Sequence, residues 1–140
     1  MEIEGYTLDD QIGYLLRKAY QRHLAIFQQH IGDDQLTAVQ FTVLYTVNLL
    51  EKTSQKDLIE STAIDQATIR GIVERLVKRD LLYQYQDLDD KRKVIISITD
   101  AGKTLLAKTL ENAKQISVKT LEPLNPAESL ALIHTLKKIT

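Results

Sequence analysis

Four consecutive side chains, Asp90, Lys91, Arg92 and Lys93, hold the densest run of cationic chemistry in this chain. Three cations beside one carboxylate suit an anionic polymer. Lysine ammonium groups meet phosphates, and an arginine is favoured in a DNA minor groove by the negative potential there. A second set comprises Gln66, Thr68, Arg70, Arg75 and Lys78. Arginine pairs bidentately with guanine and glutamine with adenine, so Gln66, Thr68 and Arg70 are base-edge candidates; Arg75 and Lys78 fit phosphates. Ser54, Gln55 and Lys56 stand where a helix begins, and a helix N-terminus also holds phosphate. Covalent and metal chemistry find no footing. His23, His30 and His134 have no ligand spacing with carboxylates, and there is no HExxH, no G-x-S-x-G and no phosphate-binding glycine loop. No catalytic residue, metal or cofactor is called for, and an enzyme is not expected. The competing reading of the two basic sets is a solvated charged hairpin and a solvated helix face.

These residues need elements to present them. Asp65 can cap a helix, because its carboxylate accepts from free backbone N–H groups. After it, Ile69, Ile72, Val73, Leu76 and Val77 recur with helical period and mark one buried face. The opposite arc holds Ala67, Thr68, Arg70, Gly71, Glu74, Arg75 and Lys78: small residues for close approach, long ones for reach. Gly71 in mid-helix costs about 1 kcal/mol relative to alanine, and a close backbone approach to something would explain it. Ser54 and Asp57 form a capping box for a short helix over 55–61, and Ser61–Asp65 is a tight turn between the two helices. Leu82–Gln86 and Val94–Ile98 read as strands, with Asp87–Lys93 as a polar hairpin tip. Helix, turn, helix and hairpin in that order make a winged helix-turn-helix.

The flanks are helical. Met1–Tyr6 reads as a loose lead-in. Thr7–Asp10 reads as a capping box opening a helix to about His30, with Ile12, Leu15, Leu16, Ala19, His23, Ile26 and Phe27 as its apolar stripe. Gly32–Asp34 ends it. Thr37 and Gln40 box a helix to about Leu50. Thr99 caps a long helix with Asp100 at its positive end, and Asn125, Pro126 and Glu128 open the last one. That final helix, with Leu132, Ile133, Leu136 and Ile139, is too short and apolar to bury its own face, so together with the other flanking helices it reads as a dimer interface.

Bulk properties bound the rest. With 140 residues, 44% of them hydrophobic, the chain makes one globular domain or two small lobes sharing helices. Net charge is −1, and 65–93 carry seven basic against six acidic residues, so nucleic-acid binding must rest on where charges sit. Absence of cysteine excludes disulfides and thiolate sites. No apolar run reaches membrane-spanning length and no signal peptide is visible, so no membrane partner and a cytoplasmic location are expected.

The pattern resembles the MarR family of bacterial regulators. Leu36-Thr37, Gln40-Phe41, Leu44, Val73–Leu76, Asp90–Arg92, Ile98–Gly102 and Leu124–Glu128 carry the likeness across nearly the whole chain, with Asp90-Lys91-Arg92 its most specific piece. Asp80 departs from it, standing where the family usually has glycine. The resemblance implies a mainly α fold with a small β-hairpin wing, a helical dimerisation lobe (1–35 and 100–140) and a DNA-binding lobe (36–99). It implies that Asp90 orients Arg92 through a salt bridge. It also implies a homodimeric repressor on a pseudo-palindromic operator in double-stranded DNA. Leu15-Leu16-Arg17 with His23 is similar to the first helix of the branch that senses aromatic carboxylates, where the matching Arg and His help hold the acid. An arginine fork suits a carboxylate. Tyr14, Tyr20 and Phe41 are further ligand-lining candidates. Arg17 and His23 stand about 120° apart around a helix. A core histidine, a surface or interhelical ion pair for Arg17, and aromatics that simply fill the core are the alternatives at these positions. At the level of function, a ligand-independent or activating regulator of this type and a protein-binding winged helix stay open.

Overall fold

The computed structural model describes residue 1 and residues 3–140. The lead-in expected over Met1–Tyr6 has no helix or strand at its described residues, and residue 2 lies outside them. Six α-helices and a two-stranded sheet follow: α1 Ile12–His30, α2 Ala38–Leu50, α3 Gln55–Thr62, α4 Gln66–Lys78, β1 Leu82–Gln86, β2 Val94–Ile98, α5 Asp100–Leu121 and α6 Pro126–Lys138. The fold is mainly α with a small β wing, as the sequence reading expected. The chain divides into two compact units, residues 1–31 with 112–140, and residues 32–111.

In the second unit, capping fixes the helix starts. Thr37 and Gln40, and Ser54 and Asp57, form reciprocal boxes in which each side chain bonds the other residue's backbone N–H. Those bonds hold the Asp57 carboxyl below its usual pKa, led by the backbone N–H of Ser54. Asp65 accepts from the Thr68 N–H at 2.9 Å and opens α4. The buried face of α4 (Ile69, Ile72, Val73 and Leu76) packs in one cluster with Val43, Leu44 and Val47 of α2, Leu58 of α3, Leu82 and Ile96 of the hairpin, and Leu106 of α5. Burial of a side chain of this size contributes about 1.5–3 kcal/mol, so this cluster is the main store of stability in the unit.

The strands pair antiparallel in the register Leu82 to Ile98 and Gln86 to Val94. Before α3, Thr53 adds a one-residue bridge to Ile96, with N–H···O distances of 3.2 and 2.7 Å. Three turns among the described residues carry positive φ without glycine: Glu51 at φ 62° after α2, Ala63 at φ 56° between α3 and α4, and Asp80 at φ 60° before β1. Asp80 therefore adopts the conformation that glycine would supply more cheaply, and aspartate is among the side chains that tolerate it. Gly102 is required by packing. A Cβ there would run into the carbonyl of Leu81 and lie 2.7 Å from Ile98 Cγ1.

In the first unit the N-terminus departs from expectation. Thr7 makes no capping bond. Leu8–Asp10 form a single 3₁₀ turn, Gln11 is extended at φ −87° and ψ 130°, and α1 begins only at Ile12. The Gln11 side chain donates to the Thr7 carbonyl at 3.0 Å, so the segment closes on itself instead of continuing into α1. The α1 stripe is also less buried than its period suggests: Phe27 is the buried residue of that helix, while Ile12, Leu15 and Leu16 are exposed. Helix α6 starts at Asn125 with the expected box to Glu128, and none of its described residues is buried.

Candidate nucleic-acid interface

The wing tip is shaped by its own carboxylates. Asp87 accepts from the Asp89 N–H at 2.9 Å, and Asp90 accepts from the Arg92 N–H at 3.1 Å. Lys93 bonds back to the Asp90 carbonyl at 2.9 Å. The tip thus folds as two successive aspartate turns. Asp90 also meets the Arg92 guanidinium, with Nε 3.6 Å from Oδ1. The Arg92 side chain is 94% exposed, so this is a surface pair that adds little to stability.

Facing the tip is the start of α3. Ser54, Gln55 and Lys56 line a groove of about 550 Å³ together with Asp90, Arg92, Lys93, Gln84 and Val94. Two sets picked separately from the sequence therefore share one surface. Gln84 and Val94 were not picked. Both lie on strands, and only the pairing of those strands brings them to the groove floor. Lys91 is exposed at the tip but does not line this groove.

Along α4, Gln66, Ala67, Arg70, Gly71 and Glu74 line a second depression with Asp65. Gly71 has open space where a Cβ would stand, so nothing in this chain demands glycine there. Arg70 pairs with Glu74 at 3.6 Å, both side chains well exposed; such a pair is weak and readily exchanged. Thr68 is more committed. Its hydroxyl donates to Asp65 Oδ2 at 2.8 Å, leaving its methyl group and an acceptor lone pair for an incoming partner. The N–H and hydroxyl of Thr68 hold the Asp65 carboxyl below its usual pKa. Arg75 and Lys78 are exposed in the last turns of the helix.

The ligand candidates divide between the two units. Arg17, Tyr14, Tyr20 and His23 lie on α1, and Phe41 lies on α2 in the other unit. Arg17 and Tyr20 are exposed; Tyr14 and His23 are half-buried. Lys18 Nζ sits 5.3 Å from the Tyr14 ring centre. Tyr20 stacks on His23 with ring centres 6.2 Å apart, and Phe41 stacks on Tyr45 at 6.4 Å. Burial lowers the His23 pKa from 6.5. Among the described residues no group of three potential metal ligands exists, and no helix is long and apolar enough to cross a membrane.

Comparison with known proteins fits this geometry. The MarR family pattern matches residues 36–94, which run from the start of α2 to the wing. The transcriptional repressor NicR of Pseudomonas putida is 48% identical over 134 residues, covering 96% of this chain and 85% of that protein. The chain belongs to the MarR family of transcriptional regulators. Solved structures of relatives superpose closely. BpsR of Bordetella bronchiseptica, whose DNA binding is regulated by 6-hydroxynicotinic acid, is 46% identical with a TM-score of 0.90, covering 96% of each chain. A probable transcriptional regulator from Pseudomonas aeruginosa is 39% identical, also at 0.90, covering 96% of this chain and 100% of that one. A MarR-type chain is a regulator and not an enzyme.

Two further residues escaped the sequence reading. Arg22 donates to the carbonyls of Thr120 and Lys119 at 2.7 and 3.3 Å, and Thr120 bonds His23. Arg22 lies off the apolar stripe and its partners Thr120 and Lys119 are 98 and 97 residues away, so no local pattern signals either one.

Proposed function

We propose that this protein is a homodimeric, sequence-specific DNA-binding repressor of the cytoplasm, released from its operator by a small aromatic carboxylate. The observation that carries the reading is the shared surface of the wing tip and the start of α3. Arg92, Lys93 and Lys56 line it together, and the polar arc of α4 is exposed in the same unit. In this reading α4 enters the major groove with Gln66, Thr68 and Arg70 toward base edges, while Arg75 and Lys78 meet phosphates. Arg92 reaches the adjacent minor groove, and Lys91, Lys93 and the start of α3 hold the backbone. Residues 36–99 form the DNA-binding lobe.

Residues 1–35 and 100–140 form the dimerisation lobe. Exposed Ile12, Leu15 and Leu16 on α1 and Leu130, Leu132 and Ile133 on α6 support this, since monomers rarely leave so much apolar surface in water. Two α4 helices would then enter successive major grooves of a pseudo-palindrome, about one helical turn apart.

The effector reading rests on Arg17, with Tyr14, Tyr20 and His23 on the same helix, and on the relatives: NicR is a repressor, and 6-hydroxynicotinic acid regulates DNA binding by BpsR. The ligand acts by preferring a dimer conformation that cannot span both half-sites. The test is binding to the DNA upstream of its own gene, across a salt series, with and without 6-hydroxynicotinate, nicotinate and benzoate. Expected are a steep fall of log affinity with log salt and release by one acid, to which Arg17→Ala no longer responds. Salt-insensitive binding, or none, would refute the DNA reading and favour a protein partner. Tight binding that no acid alters would remove the effector.

A further inference from the structure

Helix α1 meets the end of α5 through adjacent residues of the first unit. His23 Nδ1 lies 2.8 Å from Thr120 Oγ1, and that hydroxyl donates to the Ile116 carbonyl at 2.8 Å. Arg22 fixes the same turn by donating to the Thr120 carbonyl at 2.7 Å. A threonine hydroxyl has one proton. With that proton on the Ile116 carbonyl, the oxygen facing His23 can only accept. Nδ1 therefore carries the hydrogen of the neutral ring, and Nε2 is left bare as an acceptor. Stacking against Tyr20 limits how the ring can turn.

We propose that Thr120 is a positioning residue that sets His23 to accept a hydrogen bond from the effector, so that the protein selects aromatic acids carrying a donor on the ring away from the carboxylate. The inference rests on the effector reading above and deepens it. A bare Nε2 repels a carboxylate oxygen, since both present lone pairs, whereas it matches an O–H or a ring N–H. Arg17 and His23 then divide the ligand between them. Six residues separate them by about 9 Å along the helix and about 120° around it. That offset is awkward for two groups gripping one carboxylate and natural for two groups gripping opposite ends of one ring. A 6-hydroxynicotinate has the required donor in either tautomer, as O–H in the hydroxypyridine and as the adjacent N–H in the pyridone.

The discriminating probe is 6-methoxynicotinate, which keeps the ring, the carboxylate and the oxygen but has no proton to give. By calorimetry on the full chain, 6-hydroxynicotinate should bind about ten-fold more tightly than the methoxy compound, the effect of one satisfied hydrogen bond. Thr120→Val should collapse that ratio to about two-fold or less while sparing methoxy binding, and Thr120→Ser should restore it. Nitrogen-15 spectra of labelled histidine, with His23 assigned through His23→Gln, give an independent readout. The parent should show protonated Nδ1 and bare Nε2, and Thr120→Val a mixture. A protonated Nε2 in the parent, or acids that bind with the same ratio in parent and Thr120→Val, would overturn the inference and leave the effector reading intact. Failure of every acid to bind would overturn the effector reading and the inference with it.

Discussion

Replacing Arg92 by alanine should weaken DNA binding without touching the fold. The side chain is 94% exposed and its contact with Asp90 is a surface pair at 3.6 Å, worth between zero and about 1 kcal/mol. Stability and dimerisation should therefore stay within about 0.5 kcal/mol of the parent, as for surface substitutions generally. The loss on DNA is larger. An arginine reading a groove contributes about 1–3 kcal/mol, and a dimer presents two wings, so the summed loss is about 2–6 kcal/mol, or roughly 30-fold to 10⁴-fold in affinity. The slope of log affinity against log salt should fall by about 2, one released counterion per wing. Asp90→Asn separates orientation from charge. Asparagine can still accept the Arg92 N–H that now bonds Asp90 at 3.1 Å, so the turn survives while the ion pair is lost. Removing an anion from the DNA face should strengthen non-specific binding and shrink the preference for the operator. Anisotropy titrations of parent, Arg92→Ala and Asp90→Asn on operator and scrambled DNA across a salt series would measure all of this. An Arg92→Ala protein with the parent's affinity and the parent's slope would refute the placement of the wing in a groove.

Gly102→Ala should destabilise the second unit by about 1–3 kcal/mol, because the new methyl group meets the backbone carbonyl of Leu81 and not a side chain that can move; a lower urea midpoint at unchanged slope is the expected result. Asp33→Ala should cost about 1–3 kcal/mol, discounted from the fully buried case because Arg79 is 30% exposed, and Arg79→Met should cost less. The reason is that removing Asp33 leaves the Arg79 cation without its ion-pair partner, with one nitrogen already buried and unbonded among the described residues, whereas removing Arg79 leaves the Asp33 carboxylate still accepting the Gln35 N–H at 3.0 Å. Burial lowers the His23 pKa below 6.5, so on acidification the unfolded chain binds the proton first. The stability gained from a neutral ring is thus present above about pH 6.5 and lost as pH falls through the folded value. Urea midpoints between about pH 7.5 and 5.5 should fall less steeply in His23→Gln than in the parent.

Local rules made much of the fold legible. Asp65, Thr37, Ser54 and Asn125 cap the helices they were expected to cap, because a capping bond spans three residues and needs nothing from the rest of the chain. Thr7 satisfies the same pattern and fails, since Gln11 captures its carbonyl and the segment closes as a 3₁₀ turn. The periodic stripe of α1 told which residues are apolar but not that Ile12, Leu15 and Leu16 stay uncovered in a single chain. At the candidate interface, the cations were visible as residue types. The floor supplied by Gln84 and Val94 was not, because strand register decides it. The Arg22, His23 and Thr120 cluster joins positions almost a hundred apart, and no period or cap reports a contact of that kind.

The single bridge between Thr53 and Ile96 has a consequence for how such a regulator acquires new operators. It ties the wing to the residue before the Ser54 cap of α3, and the Ser97 hydroxyl adds a bond to the Glu51 carbonyl at 3.0 Å. The hairpin base cannot swing without dragging the start of α3, and the tip, Asp87–Lys93, is the part of the wing outside this tether. At about 1–2 kcal/mol of backbone entropy per ordered residue, each residue the tether already holds in place is one that docking does not have to order. The tether also makes the tip a module: a change in its length or composition leaves the tethered base, and the geometry that rests on it, in place.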